Sequence, residues 1–308
     1  MLAHHAGTLA VRGCRVTNRT GAGIVVTSGG ANVVENTTIE DVGSSAVVVA
    51  ETGRLTAKGC TITRPAGNGV VANGTARVVV EDCDLTACGK PALAVEQAAG
   101  ARLSGVRVSG GAALDLYIAS RGEVEVTGCS FTGSAGQSVY VAEASAPVLT
   151  DCTIADAAGA IYVTGAARPR FDRWRISGSP VGVLADGGSD ALFIAVEIRD
   201  AAQTAVFATG AATAQFEELT VVADGSGIRA QAGSVIQVRG GVLETQAAGV
   251  DLSGGASVEL GRVEIRAADG NGLLAVEDAK ARLQSCVLRT CGATVTGAAG
   301  AQIGRAHV

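Results

Sequence analysis

The chain has 308 residues, of which 47% are hydrophobic but only 3% aromatic, with 43 glycines, five prolines and a formal net charge of −5. So apolar a composition excludes a disordered chain, and an isoelectric point near 5.3 without a basic stripe argues against a nucleic-acid partner. No apolar run reaches membrane-spanning length and residues 1–11 lack a signal-peptide pattern, which points away from a membrane and toward a cytoplasmic, reducing location.

In chain order, one position recurs at steps of 22 or 23 residues: Cys14, Thr37, Cys60, Cys83, Val106, Cys129, Cys152, Trp174, Val196, Leu219, Gly241, Val263 and Cys286. A fixed period of this size is the signature of a coil repeat. Each repeat opens on a first strand whose last inward residue stands three positions before the recurring slot, as at Val11, Val34, Ala57 and Val80. A bend follows, made of turn-prone pairs such as Glu35-Asn36, Lys58-Gly59, Glu81-Asp82, Thr127-Gly128 and Thr150-Asp151, where Gly, Asn or Asp tolerates a left-handed backbone. The second strand carries the slot itself and an inward residue two positions later, for example Val16, Ile39, Ile62 and Leu85. After a corner comes a third strand of the form small, apolar, any, apolar: Gly23-Ile-Val-Val26, Ala46-Val-Val-Val49, Gly69-Val-Val-Ala72, Ser138-Val-Tyr-Val141 and Gly227-Ile-Arg-Ala230.

Three short strands per coil bury no core alone, but stacked coils form three parallel sheets around a continuous apolar interior. The expected architecture is all-β, a parallel solenoid of about thirteen rungs at roughly 4.8 Å each, with short corners and a length near 60 Å. The repeat runs through residues 1–308 without a linker, so one domain is expected. With this arrangement the sequence resembles the right-handed parallel β-helix family, the pectin lyase-like superfamily, over essentially its whole length. That resemblance implies a fold and leaves activity open, since the family includes pectin-degrading enzymes and many non-enzymatic modules. Ile303, Ala306 and Val308 look like the start of a further rung, so a fused domain or another subunit is expected at the open ends.

In the hydrolases resembled here, the catalytic Asp residues immediately precede the third-strand small residue. The matching positions here run from Ala22, Ser45, Asn68, Pro91, Leu114 and Gln137 to Asn271, and none is Asp, Glu or His. Asp115 and Asp251, read as outward residues of the third strand, stand six rungs apart, on the order of 29 Å, too far for a glycosidase pair. The histidines, His4, His5 and His307, lie at the termini, and the corner acids form no shared column, so neither a metal nor another cofactor is expected. Of eight cysteines, six fill the recurring slot, while Cys88 and Cys291 share a second slot. They read as reduced, packed thiols, although Cys60 with Cys83 and Cys129 with Cys152 lie within bonding reach.

The distinctive surface feature is the outward residue of the third strand: Val25, Val48, Val71, Ala94, Tyr117, Tyr140, Tyr162, Leu184 and Phe207, then Arg229, Asp251 and Leu274. Such a stripe either stiffens the sheet through cross-strand contacts or marks a binding face. The candidate site is Asp115, Tyr117, Ser138, Tyr140, Tyr162, Leu184 and Phe207. A protein partner or self-association is the first expectation for it, which makes the chain a non-enzymatic, rigid interaction or assembly module. The alternative is a polysaccharide-binding or polysaccharide-cleaving protein with a site near Asp115, Tyr117 and Tyr140.

Overall fold

The computed structural model describes residues 1–289 and the strand Gln302–Gly304. Cys291, Ala306, His307 and Val308 lie outside the described residues, while Ile303 pairs in register with Leu283. The chain is all-β and parallel, with about 13 turns, and it divides into two compact units, Met1–Ala158 and Gly159–Val308.

In the first unit each turn contributes three short strands, as in Arg54–Lys58, Thr61–Thr63 and Val70–Ala72. Each strand pairs in parallel with its equivalent one turn away, so Val78 faces Leu55, Leu85 faces Ile62 and Val70 faces Val47. Alternation does the sorting: in Arg54–Lys58, Leu55 and Ala57 are buried while Arg54, Thr56 and Lys58 face outward. The recurring slot is core, with Cys60, Cys83, Val106, Cys129 and Cys152 all no more than 2% exposed. Cys14, in the first full turn, is exposed. The described cysteines are free thiols, and Cys60 N–H donates to Cys83 Sγ at 3.3 Å.

The bend between first and second strands is left-handed at Asn36, Gly59, Asp82, Gly105, Gly128 and Asp151, with φ from 48° to 62°. These are residue types that suit it. The second unit keeps the same geometry with Arg173, Ala195, Glu218 and Arg262, whose φ values lie between 51° and 59°. In four of its turns the first and second strands join into the long strands Asp190–Arg199, Thr213–Ala223, Val235–Thr245 and Ser257–Ala267, with the bend residue itself left out of the register pairing. Two of the three expected strand columns therefore form one bent sheet, and the third-strand column forms another.

Gly241 is the slot occupant without a side chain. Its φ is 127°, and a Cβ there would stand 1.9 Å from Leu219 O, so only glycine fits. In the neighbouring turns of this unit the core holds a stack of rings. Phe171 and Phe193 lie parallel at 4.8 Å, Phe193 and Phe216 at 4.7 Å, and Trp174 meets Phe171 edge-on at 5.3 Å.

The outward faces of the first and second strands are ionic. Arg12, Glu35, Lys58 and Glu81 are register neighbours of alternating charge, with Arg12–Glu35 at 2.6 Å and Lys58–Glu81 at 3.1 Å. Arg102–Glu125, Arg107–Asp84, Arg175–Glu197 and Arg266–Glu264 continue the pattern within each unit. Such exposed pairs add little stability singly, but they mark these faces as solvated. His4, near the start of the chain, meets Thr27 Oγ1 through Nδ1 at 2.7 Å.

Candidate functional site

The third-strand face contrasts with the other two. In the first unit its outward column runs, by direct register, through Leu2, Val25, Val48, Val71, Ala94, Tyr117 and Tyr140. Every member is apolar or aromatic, and among the described residues no ion pair falls on this column. Leu2 is the most exposed, at 65%, while Val71 and Ala94 are covered by their neighbours. Sequence reading missed Leu2 because the first strand is only two residues long, although it stands 23 positions before Val25.

Tyr117 and Tyr140 are half-buried and their rings lie 5.6 Å apart, tilted by 44°. Ala119 and Ala142, the next outward positions, are buried beside them. Glu96 and Glu143 stand at the rim. Partial burial first, and then the charges of Glu143 and Glu96, hold the Tyr117 phenol above its ordinary pKa. The face is thus an uncharged strip with an acidic edge.

In the second unit, Tyr162, Leu184 and Phe207 are register neighbours and all half-buried. Tyr162 donates its hydroxyl to Asp186 Oδ2 at 3.2 Å. The column then becomes polar, as expected from sequence, with Arg229 paired to Asp251 at 3.2 Å and Leu274 next in register.

Asp115 does not point outward. It is fully buried, and so is Ser138, its register neighbour, which donates its hydroxyl to Asp115 Oδ2 at 2.8 Å. Strict alternation from Tyr117 places Asp115 on the surface, but this slot faces inward throughout the third-strand column, even where it lies within the strand, as Ser138 does in Gln137–Val141. The equivalent small residues show which way that position faces: a Cβ at Gly69 would meet Leu85 Cδ2 at 2.7 Å and Cys88 Sγ at 3.3 Å. At Asp115 the necessary room comes from Gly111, where a Cβ would lie 2.8 Å from Asp115 Oδ1. Oδ1 itself has no hydrogen-bond partner.

Desolvation raises the Asp115 carboxyl to about 6, with the hydroxyls of Ser138 and Ser134 pulling it part of the way back. The Cys88 thiol nearby is pushed up to about 12, by burial first and by the Asp115 charge second. Both groups face the core, out of reach of a surface-bound glycan. Among the described residues no group of three or more His, Cys, Asp or Glu side chains could hold a metal ion. No helix of the described chain is long and apolar enough to cross a membrane.

The sequence model of one family, described as the right-handed β-helix region, matches residues 2–114, 91–190 and 181–306. No curated protein sequence matches the chain significantly.

Proposed function

From the premise that this chain belongs to the right-handed β-helix family, we propose that it is a non-enzymatic interaction module that docks protein through the third-strand face of its first unit. One observation carries the reading. Seven consecutive outward positions, from Leu2 to Tyr140, are uncharged and apolar on a chain whose other two faces are laced with ion pairs. Val71 and Ala94 are covered by their neighbours, but Leu2, Val25, Val48, Tyr117 and Tyr140 stay partly exposed, and an apolar centre with acidic residues at its edge is the anatomy of an interface.

The occupant proposed is a second copy of this chain. Two such strips meet without burying an unpaired charge, and identical rung spacing lets their ridges interdigitate over six steps, roughly 29 Å. The strip offers on the order of several hundred Å² per copy, at the low end of specific interfaces, so association is weak and concentration-dependent.

Light scattering on the purified chain tests this against Tyr140→Arg, which replaces one ring of the aromatic pair with a cation. Wild-type molar mass is expected to rise with concentration over about 1 to 100 μM, while the variant stays monomeric with an unchanged melting profile. A wild type that remains monomeric throughout contradicts self-association, and equal association of the variant removes the face from it.

A further inference from the structure

We propose that a notch on the first-strand face of the second unit is an anion site, which takes the phosphate of a small phosphorylated polyhydroxy compound. The cavity, of about 450 Å³, lies across the neighbouring strands Val235–Thr245, Ser257–Ala267 and Lys280–Gln284. That volume falls within the range of small-molecule sites.

Its floor is Gly261. In register it separates Arg239 on one side from Gln284 on the other, in an outward column where the neighbouring turns carry side chains. Nothing about the backbone requires glycine there. Gly261 does not adopt a left-handed φ, and a Cβ would meet only Val238 O, at 4.0 Å. The absent side chain has one structural effect, which is to leave the notch open. At Gly100 in the first unit Arg77 lies across a similar gap and bonds Thr75, Ala76 and Ala98 carbonyls, which leaves a smaller cavity of about 160 Å³.

Three guanidiniums line the notch: Arg239 in the glycine's own column, Arg282 in the adjacent column, and Arg262 at the bend beside Gly261. Many outward arginines elsewhere meet carboxylates, as Arg107 meets Asp84 and Arg266 meets Glu264, and Arg77 meets backbone carbonyls. Arg239, Arg262 and Arg282 have no ion-pair partner among the described residues, although Glu259 also lines the cavity and is the register neighbour of Arg282. Glu259 instead accepts from Gln237 Nε2 at 3.4 Å.

Three cationic forks around one opening exceed what a carboxylate uses and suit a phosphate dianion, whose oxygens accept several N–H donors at once. Glu259 and Gln237, with Gln284 and Ser285 on the opposite wall, supply acceptors and donors for hydroxyl groups on the rest of the ligand. The chemistry is that of a sugar phosphate.

Isothermal titration at about 50 mM ionic strength, where surface charge is weakly screened, tests the site with inorganic phosphate and glucose 6-phosphate. Both are expected to bind, with the sugar phosphate tighter. Gly261→Val, which fills the notch and keeps every arginine, is expected to weaken both by more than about tenfold, and so is Arg239→Gln, with melting profiles matching wild type. Absence of heat from both ligands at millimolar concentration overturns the proposal. So does wild-type affinity in Gly261→Val, and a sugar phosphate that binds no better than phosphate overturns the assignment of the ligand class.

Discussion

Phe193→Ala is expected to lower the unfolding free energy of the second unit by about 4 kcal/mol. Phe193 is fully buried and is the middle ring of the stack, parallel to Phe171 at 4.8 Å and to Phe216 at 4.7 Å. Truncation removes one ring's burial, leaves a ring-sized cavity between two others, and breaks both stacking contacts, each worth about 1 kcal/mol beyond area burial. Adjacent turns cannot close the gap, because their spacing is fixed by the strand hydrogen bonds on either side. Phe193→Leu keeps much of the volume and is expected to cost only about 1.5 kcal/mol. Urea unfolding followed by circular dichroism separates the two. Equal, small losses would mean that the stack contributes nothing beyond generic apolar filling.

The second large effect is a pH dependence carried by Asp115. Its folded-state pKa, about 6, stands above the ordinary value of 3.8, so the native state holds the proton more tightly than the unfolded chain. The protonated side chain is accommodated below about pH 4. As pH rises through about 6 the native carboxylate must ionise in the core, and stability falls by about 3 kcal/mol in all. Asp115→Ser, the residue that Ser138 places in the same slot one turn away, removes the buried charge. The variant is expected to be about 2 kcal/mol more stable than wild type at pH 8 and to lose this advantage at pH 4. Denaturation midpoints at the two pH values measure it. A variant less stable than wild type at pH 8 would show that the ionised Asp115–Ser138 contact outweighs the cost of desolvation.

Much of the fold was readable from sequence because a solenoid repeats its constraints. Each turn restates the inward positions, so the column from Val11 to Leu283 and, apart from the half-exposed Gly241, the slot from Cys60 to Cys286 could be aligned by spacing and proved buried. The bend was legible where it falls on Asn36, Gly59 or Asp82. It was hidden at Ala195, Glu218 and Arg262, where stacking on neighbouring turns imposes a left-handed backbone that the residue type does not favour. Fusion of the first two strands in the second unit left no mark in the sequence for the same reason.

The candidate site was legible only where strict alternation holds. Tyr117 and Tyr140, and separately Tyr162, Leu184 and Phe207, stand in the register that spacing gave. Asp115 was misplaced because alternation fails at its slot, which faces inward even where it lies within the strand, as at Ser138. The deciding signal was Gly111, opposite it, whose missing side chain makes the room. The notch at Gly261 escaped for a related reason. A glycine in a strand reads as a bulge or a weakness, and only the surrounding register shows that it is neither.

In the proposed assembly the strip from Leu2 to Tyr140 is covered when the chain associates. Hydroxyl-radical footprinting measures this directly, by following the oxidation rates of Tyr117 and Tyr140 from about 1 to about 100 μM chain. Val148, 44% exposed on a first-strand face, serves as the internal reference. The rates of both tyrosines are predicted to fall several-fold relative to Val148 as molar mass rises. Tyrosine rates that stay constant while the mass increases would place the contact elsewhere and contradict the assignment of this face.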